Sequence, residues 1–407
     1  MQNRTLTFIL AGGVGSRLFP LTSRRSKPSV PFGGKYRIID FTLANCLHSG
    51  LRKVLVLTQY KSHSLNKHLR DGWSIFNPEL GEYITAVPAQ MNRGEHWYEG
   101  TADAIYQNLN LMERSDTDYT LILSGDHIYR MDYEAMLRFH QDHGGDVTVA
   151  CMEVPIEEAK GAFGVAIINK QLQIIDYEEK PEDPTPLPAD PDKTLASMGL
   201  YVFPTELLKK VVTQDQHNPA SGHDFAKDIL PLLVQNRKVY AYKFGGEKGR
   251  VTQDRYWRDV GTIDAYYKAN MDLLKPIPPL NLYQVDWPIR TYQPQTPPAR
   301  IIPGASGNEG VFISSMLASG VVISGGNVRN SVLFDGVCIE DKSTVERSIL
   351  FAGVHVGTDA ALRNCIVDKN VKIPTKEQIG YDLAKDRHRF TVTEQGIVVV
   401  PEGFVFG

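Results

Sequence analysis

Aliphatic residues recur at a fixed interval of 17 towards the C-terminal end of the chain. Val328, Val345 and Leu362 form one series, Val332, Ile349 and Ile366 a second, Val337, Val354 and Val371 a third. Asp335-Gly336, Ala352-Gly353 and Lys369-Asn370 stand at one common offset and suit corners. Within each repeat the three aliphatic positions are four or five apart. One straight amphipathic helix does not hold such a series on one face for three repeats. A coil of three short strands does, with each strand turning a corner and pointing one aliphatic side chain inward. The spacing predicts a short β-helix of three or four coils.

The earlier part of the chain has a different rhythm. Residues 5–275 alternate strand-like and helix-like segments. Thr5–Leu10, Lys53–Thr58, Thr120–Ser124 and Asp146–Val154 read as strands. Asp40–His48 reads as a helix closed by Gly50, and Asp132–His143 as one capped by Asp132 and stopped by Gly144. Such alternation predicts a layered α/β sheet with parallel strands, whose ligands sit beyond the carboxyl ends of the strands. Eight prolines between Pro276 and Pro303 exclude regular helix there. The expected organisation is an α/β domain over 1–275, an extended linker over 276–304 and a β-helix over 305–407. A length of 407 residues fits two domains.

The net charge of −3 argues against a general nucleic-acid binder. Cys46, Cys151, Cys338 and Cys365 are far apart, without a CxxC pair, so reduced thiols are expected. The N-terminus has no cationic, apolar leader, and no apolar run is long enough to span a membrane. A cytoplasmic protein is expected.

A glycine-rich loop follows the first strand, Gly12-Gly13-Val14-Gly15-Ser16-Arg17. It is no Walker loop, because no Gly-Lys-Ser/Thr follows. It is no dinucleotide fingerprint either, because Leu18 stands where a third glycine is needed. Glycines let backbone amides approach a phosphate, and Arg17 adds a planar cation. Arg24, Arg25, Lys27, Lys35 and Arg37 follow with no acidic residue until Asp40. A phosphate-rich ligand suits this loop. Asp126 comes directly after the apolar strand in "LILSGDHIY", and Asp259 stands in "YWRDVGT" before a helical run. Alone, each reads equally as a cap or turn. As a pair they suit a hard, oxygen-seeking cation such as Mg²⁺. Glu179-Lys180 closes another strand in "DYEEKP", where the lysine reads as a phosphate contact or as an ordinary exposed residue.

Together these segments resemble the sugar nucleotidyltransferases. "SKPSVPFGGKYRIIDFTLANC", "WYEGTADAIYQN", "SGDHIYRMDY", "ASMGLYVF", "HDFAKDILP" and "YWRDVGTIDAYYKANMDLL" resemble the ADP-glucose pyrophosphorylase family of glycogen and starch synthesis. The likeness runs from about residue 6 past residue 370 and takes in "WPIRTY". It implies a Rossmann-like nucleotidyltransferase domain with a mostly parallel sheet, followed by a left-handed parallel β-helix. It also implies Mg²⁺, ATP and glucose 1-phosphate, and the products ADP-glucose and pyrophosphate. By resemblance Gly12, Gly13 and Gly15 cradle phosphates, Arg17 and Lys27 neutralise them, and Asp126 and Asp259 hold the metal. Gln90, Gly100 and Thr101 face the adenine. Tyr98, Gly164, Glu179, Ser197 and Asp224 line the sugar, and Lys180 takes its phosphate. The family is usually a homotetramer with anionic allosteric effectors bound between its domains, a role that falls here to Arg25, Arg37, Arg114 and Lys369. Arg24, Pro31 and Gly336 depart from the best-known bacterial pattern, which argues against fructose 1,6-bisphosphate as the strongest activator. The alternatives are a sugar nucleotidyltransferase for another base and a regulatory subunit that binds nucleotide with little turnover.

Overall fold

The chain opens on Thr5–Leu10, apolar on both faces and therefore suited to the middle of a covered sheet. The computed structural model, which describes residues 4–90, 97–245 and 255–407, places it there as β1. The further strands are β2 (Lys53–Thr58), β3 (Tyr83–Pro88), β4 (Tyr119–Ser124), β5 (His127–Tyr129), β6 (Val147–Pro155), β7 (Gly164–Ile168), β8 (Ile174–Glu179), β9 (Lys193–Pro204), β10 (Val239–Lys243) and β11 (Trp257–Asp259). Nine of them form one sheet, in the order β8-β7-β9-β4-β1-β2-β3, with β6 joining β9 to β10. β3, β2, β1 and β4 run parallel, whereas β9 runs against β4, β6 and β7. In register, Leu10 meets both Leu57 and Ser124, so the loops after β1, β2 and β4 leave at one edge.

Helices α1 (Ile39–His48), α2 (His63–Trp73), α3 (Thr101–Tyr106), α4 (Tyr133–His143) and α5 (Ile263–Asp272) cover the sheet or its edges. Asp132 caps α4 by accepting from the Glu134 amide at 3.0 Å, and Gly144 ends it in the left-handed region. Gly50 stands after α1 with φ of +75°. No helix among the described residues is long and apolar enough to cross a membrane. All four cysteines are free.

Between Asp272 and Arg300 neither helix nor strand forms. This stretch is clamped across α1 and α2. Trp287 is buried, its Nε1 donating to Asn45 at 3.1 Å, and His48 Nε2 lies 2.8 Å from the Pro288 carbonyl. Arg290 Nε reaches the Gly72 carbonyl at 3.0 Å, and the Thr291 hydroxyl donates to Asp40 at 2.6 Å. Strand Arg300–Ile302 then pairs with Val322–Ser324, inside the stretch that sequence assigns to the linker. Pro298 and Pro303 flank this strand at the outer edge of its sheet, where missing amide donors cost least.

The rest is a three-sided prism of parallel sheets with a repeat of 17. Val328 pairs with Val345 and Val345 with Leu362, while Val332 pairs with Ile349 and Ile349 with Ile366. Gly336, Gly353 and Asn370 turn the corners with φ of +66°, +73° and +58°. One series departs from expectation. Val328, Val345 and Leu362 and Val337, Val354 and Val371 fill the prism, but Val332, Ile349 and Ile366 join the core of the α/β domain. Their neighbours Leu333, Leu350 and Val367 point inward instead. The cause is the two-residue alternation of a strand: this sheet is covered on both faces, so adjacent residues serve two cores.

Candidate active site

The loop after β1 is shaped by two close approaches. A Cβ on Gly12 would lie 3.2 Å from the Cβ of Gln59 at the end of β2. Gly15 has φ of +65°, and a Cβ there would lie 3.1 Å from that of Lys27. A side chain at Gly15 is thus both strained and crowded. Its carbonyl accepts from the Thr22 hydroxyl at 2.9 Å, which folds the loop back onto Lys27.

Two strands bring the carboxylates together. Asp126 lies between the end of β4 and β5, and β5 pairs antiparallel with β11 so that His127 faces Asp259. Lys27 Nζ sits 2.8 Å from Asp126 Oδ2 and 2.8 Å from Asp259 Oδ1. Burial pulls the Lys27 pKa down, but the two carboxylates outweigh it and leave the ammonium held above its ordinary value. Burial likewise disfavours the Asp126 carboxylate, yet Lys27 and His127 hold its pKa well below the usual range. The Ser124 hydroxyl donates to Asp126 as well. Asp126, His127 and Asp259 each offer a ligand atom within 4.8 Å of the others. His127 Nδ1 is buried without a hydrogen-bond partner. Gly261 lies between Arg17 and Asp259: a Cβ there would be 3.1 Å from Arg17 Nη2 and 3.1 Å from Asp259 Oδ2.

These groups form one wall of a cavity of about 530 Å³. It is lined by Gly12, Gly13, Arg17, Lys27, Asp126 and Asp259, and across from them by Tyr98, Gly100, Thr101, Gly164, Glu179, Lys180, Ser197 and Asp224. Gly15 lines a smaller adjoining cavity with Arg17, Lys27 and Asp126. Gln90 is exposed beyond the edge strand β3 and is not part of the lining.

The far wall is built by tight packing. A Cβ on Gly164 would fall 1.9 Å from the Tyr177 hydroxyl, so only glycine admits that ring, which donates to Glu179 at 3.3 Å. Burial raises the Glu179 pKa; Lys180 offsets part of the rise, and Asp224 adds to it. A Cβ on Gly100 would fall 2.2 Å from the His223 carbonyl, which presses α3 against the segment carrying Asp224. The Thr101 hydroxyl donates to Asp224 at 3.1 Å, and Asp224 also accepts from the amides of Ala226 and Lys227. The Ser197 Oγ accepts from the Gly199 amide at 3.3 Å. Tyr98 is fixed by its amide on Gln59 Oε1 at 2.8 Å and by Asn108 on its hydroxyl at 3.0 Å. Lys180 is different. Its backbone is left-handed, with φ of +49°, its side chain is 59% exposed, and Glu179 lies 3.7 Å away.

Sequence reading passed over Gln59, His127, Tyr177, Tyr201 and Trp257, all of which line the cavity. Gln59 follows β2 at the same edge as the glycine loop, and His127 follows Asp126 directly, so both had a positional signal. The three aromatic residues had none that separates lining from core.

The cations outside the cavity divide. Arg25 is buried, with Nη1 on Asp368 at 2.9 and 3.1 Å and Nη2 on Glu402 at 3.1 Å. Arg37 Nη1 donates to the carbonyl and hydroxyl of Ser64 at 2.8 and 2.9 Å. Lys369, from a β-helix corner, is lowered to about 8 by burial and then by Arg37 and Arg25. These three crowd together at the seam between the domains. Arg114 is exposed at the end of the short helix Leu109–Glu113 and is not among the groups acting on Lys369.

A nucleotidyl transferase family model matches residues 6–276, and the C-terminal hexapeptide of GlmU-like proteins matches 297–400, in keeping with a left-handed β-helix. Glucose-1-phosphate adenylyltransferase 2 of Vibrio parahaemolyticus is 61% identical over 98% of this chain and 99% of its own length. The protein of that name from Vibrio cholerae is 58% identical over 99% of this chain and 98% of its own. Glucose-1-phosphate adenylyltransferase of Rhodopirellula baltica is 49% identical over 99% and 91%. Paired carboxylates beside a glycine loop, on a fold matched end to end by these relatives, make the chain a nucleotidyltransferase that belongs to the glucose-1-phosphate adenylyltransferase family.

Proposed function

We propose that the protein transfers the adenylyl group of ATP to glucose 1-phosphate, giving ADP-glucose and pyrophosphate for glycogen synthesis in the cytoplasm. The observation that carries this is the convergence of Asp126 and Asp259 on Lys27, beside the glycine loop and across one cavity from Glu179 and Lys180. The amides of Gly12, Gly13 and Gly15 face the triphosphate, and Arg17 and Lys27 neutralise the departing pyrophosphate. Tyr98, Gly164, Glu179, Ser197 and Asp224 orient the glucose, and Lys180 holds its phosphate for in-line attack on the α-phosphorus. The base falls to Gln90, Gly100 and Thr101, of which the last two line the cavity and Gln90 is exposed beyond β3.

Asp126 and Asp259 supply the oxygen donors Mg²⁺ prefers, with ligand atoms close enough to share one ion. Bound there, Mg²⁺ disperses charge on the transferring phosphoryl group. Pyrophosphate release from ATP, UTP, dTTP and GTP, each with glucose 1-phosphate and Mg²⁺, tests the assignment. ATP should lead by about tenfold or more. A lead for another base, or no turnover with any, would overturn it.

Arg25, Arg37 and Lys369 support an anionic effector site in the seam between domains, and the family likeness supports a homotetramer. Arg114 joins this site only if an effector reaches beyond the three. An effector acts there by binding one arrangement of the domains better than another. Arg37→Ala should abolish the response to phosphate, AMP and sugar phosphates screened at fixed ionic strength; a response that survives intact rejects the site. The pH dependence has a definite sign. Lys369 is lowered to about 8, so it is charged below that pH and neutral above it. Half-saturating effector should therefore rise roughly five- to tenfold from about pH 7 to about pH 9; a flat profile would remove Lys369 from the site.

A further inference from the structure

Residues 398–407 take no part in the cavity, yet they end on the cationic pocket. Val398–Val400 pairs in register with Cys365–Val367, and the Asp368 amide donates to the Val400 carbonyl at 2.9 Å. The chain is thereby delivered beside Asp368. Pro401–Gly403 then turns, with Gly403 at φ of +80° and the Phe404 amide on the Pro401 carbonyl at 3.2 Å. The turn sets Glu402 Oε2 3.1 Å from Arg25 Nη2. It also brings Gly403 against Arg24, whose Nη2 would lie 3.4 Å from a Cβ there.

Two phenylalanines after the turn pin it. The rings of Phe404 and Phe406 pack on Phe390 at 4.8 and 6.2 Å. The Arg389 guanidinium lies over all three rings and pairs with Glu377 at 2.8 Å. The tail carboxylate is therefore presented to Arg25 at high local concentration. Arg25 has both guanidinium ends engaged, one by Asp368 and one by Glu402. Arg37 spends its own donor on the neutral Ser64, so it and Lys369 remain open to an anion.

We infer that Glu402 is a built-in competitor for the effector pocket: an incoming phosphate takes Arg25 from the tail carboxylate and loosens the Pro401–Gly403 turn. This rests on the anionic-effector reading of the same pocket. Two like charges share one guanidinium poorly, and the phosphate, carrying more charge than one carboxylate, gains more from Arg37 and Lys369. The tail thus sets how much anion is needed.

The test is calorimetric titration of the full-length protein with inorganic phosphate, at fixed ionic strength, for wild type, Glu402→Gln and each of these with Arg37→Ala. Glu402→Gln should bind phosphate about tenfold more tightly, with kcat and both substrate KM values unchanged in the absence of effector. Phosphate should also speed hydrogen exchange at the Phe404 amide in the wild type. Phe404→Ala, which loosens the turn without touching the carboxylate, should tighten phosphate binding in the same direction. Equal or weaker binding by Glu402→Gln, with binding still lost in Arg37→Ala, overturns the competitor role and leaves the pocket standing. Binding absent from the wild type and Glu402→Gln alike, or unaffected by Arg37→Ala, rejects the pocket and the inference with it.

Discussion

Asp126→Asn is expected to lower kcat about a hundredfold or more while the protein stays folded. The carboxamide keeps the shape of the side chain and removes the charge. Lys27 then keeps only Asp259, and a metal would lose one of two anionic oxygen donors. The Asp126 side chain is partly exposed and Asp259 still pairs the buried Lys27 in the variant, so the fold is expected to hold. Its pKa is held well below the usual carboxylate range, so the wild-type group stays ionised throughout the neutral range. Asparagine therefore imitates a protonation state the enzyme does not visit there. Steady-state kinetics at saturating Mg²⁺, a thermal melt, and Mn²⁺ affinity by electron paramagnetic resonance together check the claim. Near-normal turnover in a folded variant would end the assignment. Asp259→Asn should behave alike.

Lys180→Ala should raise KM for glucose 1-phosphate about ten- to a hundredfold and leave that for ATP within about threefold. A charge-assisted contact to phosphate contributes roughly 1.5–3 kcal/mol, which sets that range. Lys180 is mostly exposed and its pair with Glu179 is long at 3.7 Å, so its ammonium can turn to a ligand at little cost. Its left-handed backbone already carries the cost of a side chain there, and alanine adds little to it. Stability should hardly change. Equal shifts in the two KM values would show that the lysine shapes the wall rather than binding sugar phosphate.

Local chemistry was legible wherever one residue decides an outcome. Asp132 and Gly144 mark the two ends of a helix because capping and a left-handed stop act within a few residues. The 17-residue interval is legible because each coil repeats one backbone path. What a side chain faces was less so. Val332, Ile349 and Ile366 have the spacing of an inward column, but their partner is the α/β core, hundreds of residues earlier in the chain. The same limit applies to the site. Asp126 and Asp259 were readable as carboxylates at strand ends, but their bridge through Lys27 needs the pairing of β5 with β11. Gln90 was legible only through the family likeness, since nothing in its own residue type or its place after the edge strand β3 marks a base contact. Arg25, Arg37 and Lys369 were legible as cations but not as neighbours, because charge alone does not report which surface a residue occupies.

The sheet that faces two cores has a consequence for how this architecture can change over evolutionary time. Stacked-coil proteins ordinarily lengthen or shorten by duplicating or deleting a turn, since each turn meets only its neighbours. Here successive turns contribute Val332, Ile349 and Ile366 to a fixed docking surface, and Phe334 and Phe351 pack beside them. A turn inserted among them would displace every later contact by one level and carry Lys369 away from Arg25 and Arg37. The number of turns is therefore locked to the shape of the neighbouring domain. Variation is left to the parts of the prism that meet neither this core nor the cationic seam.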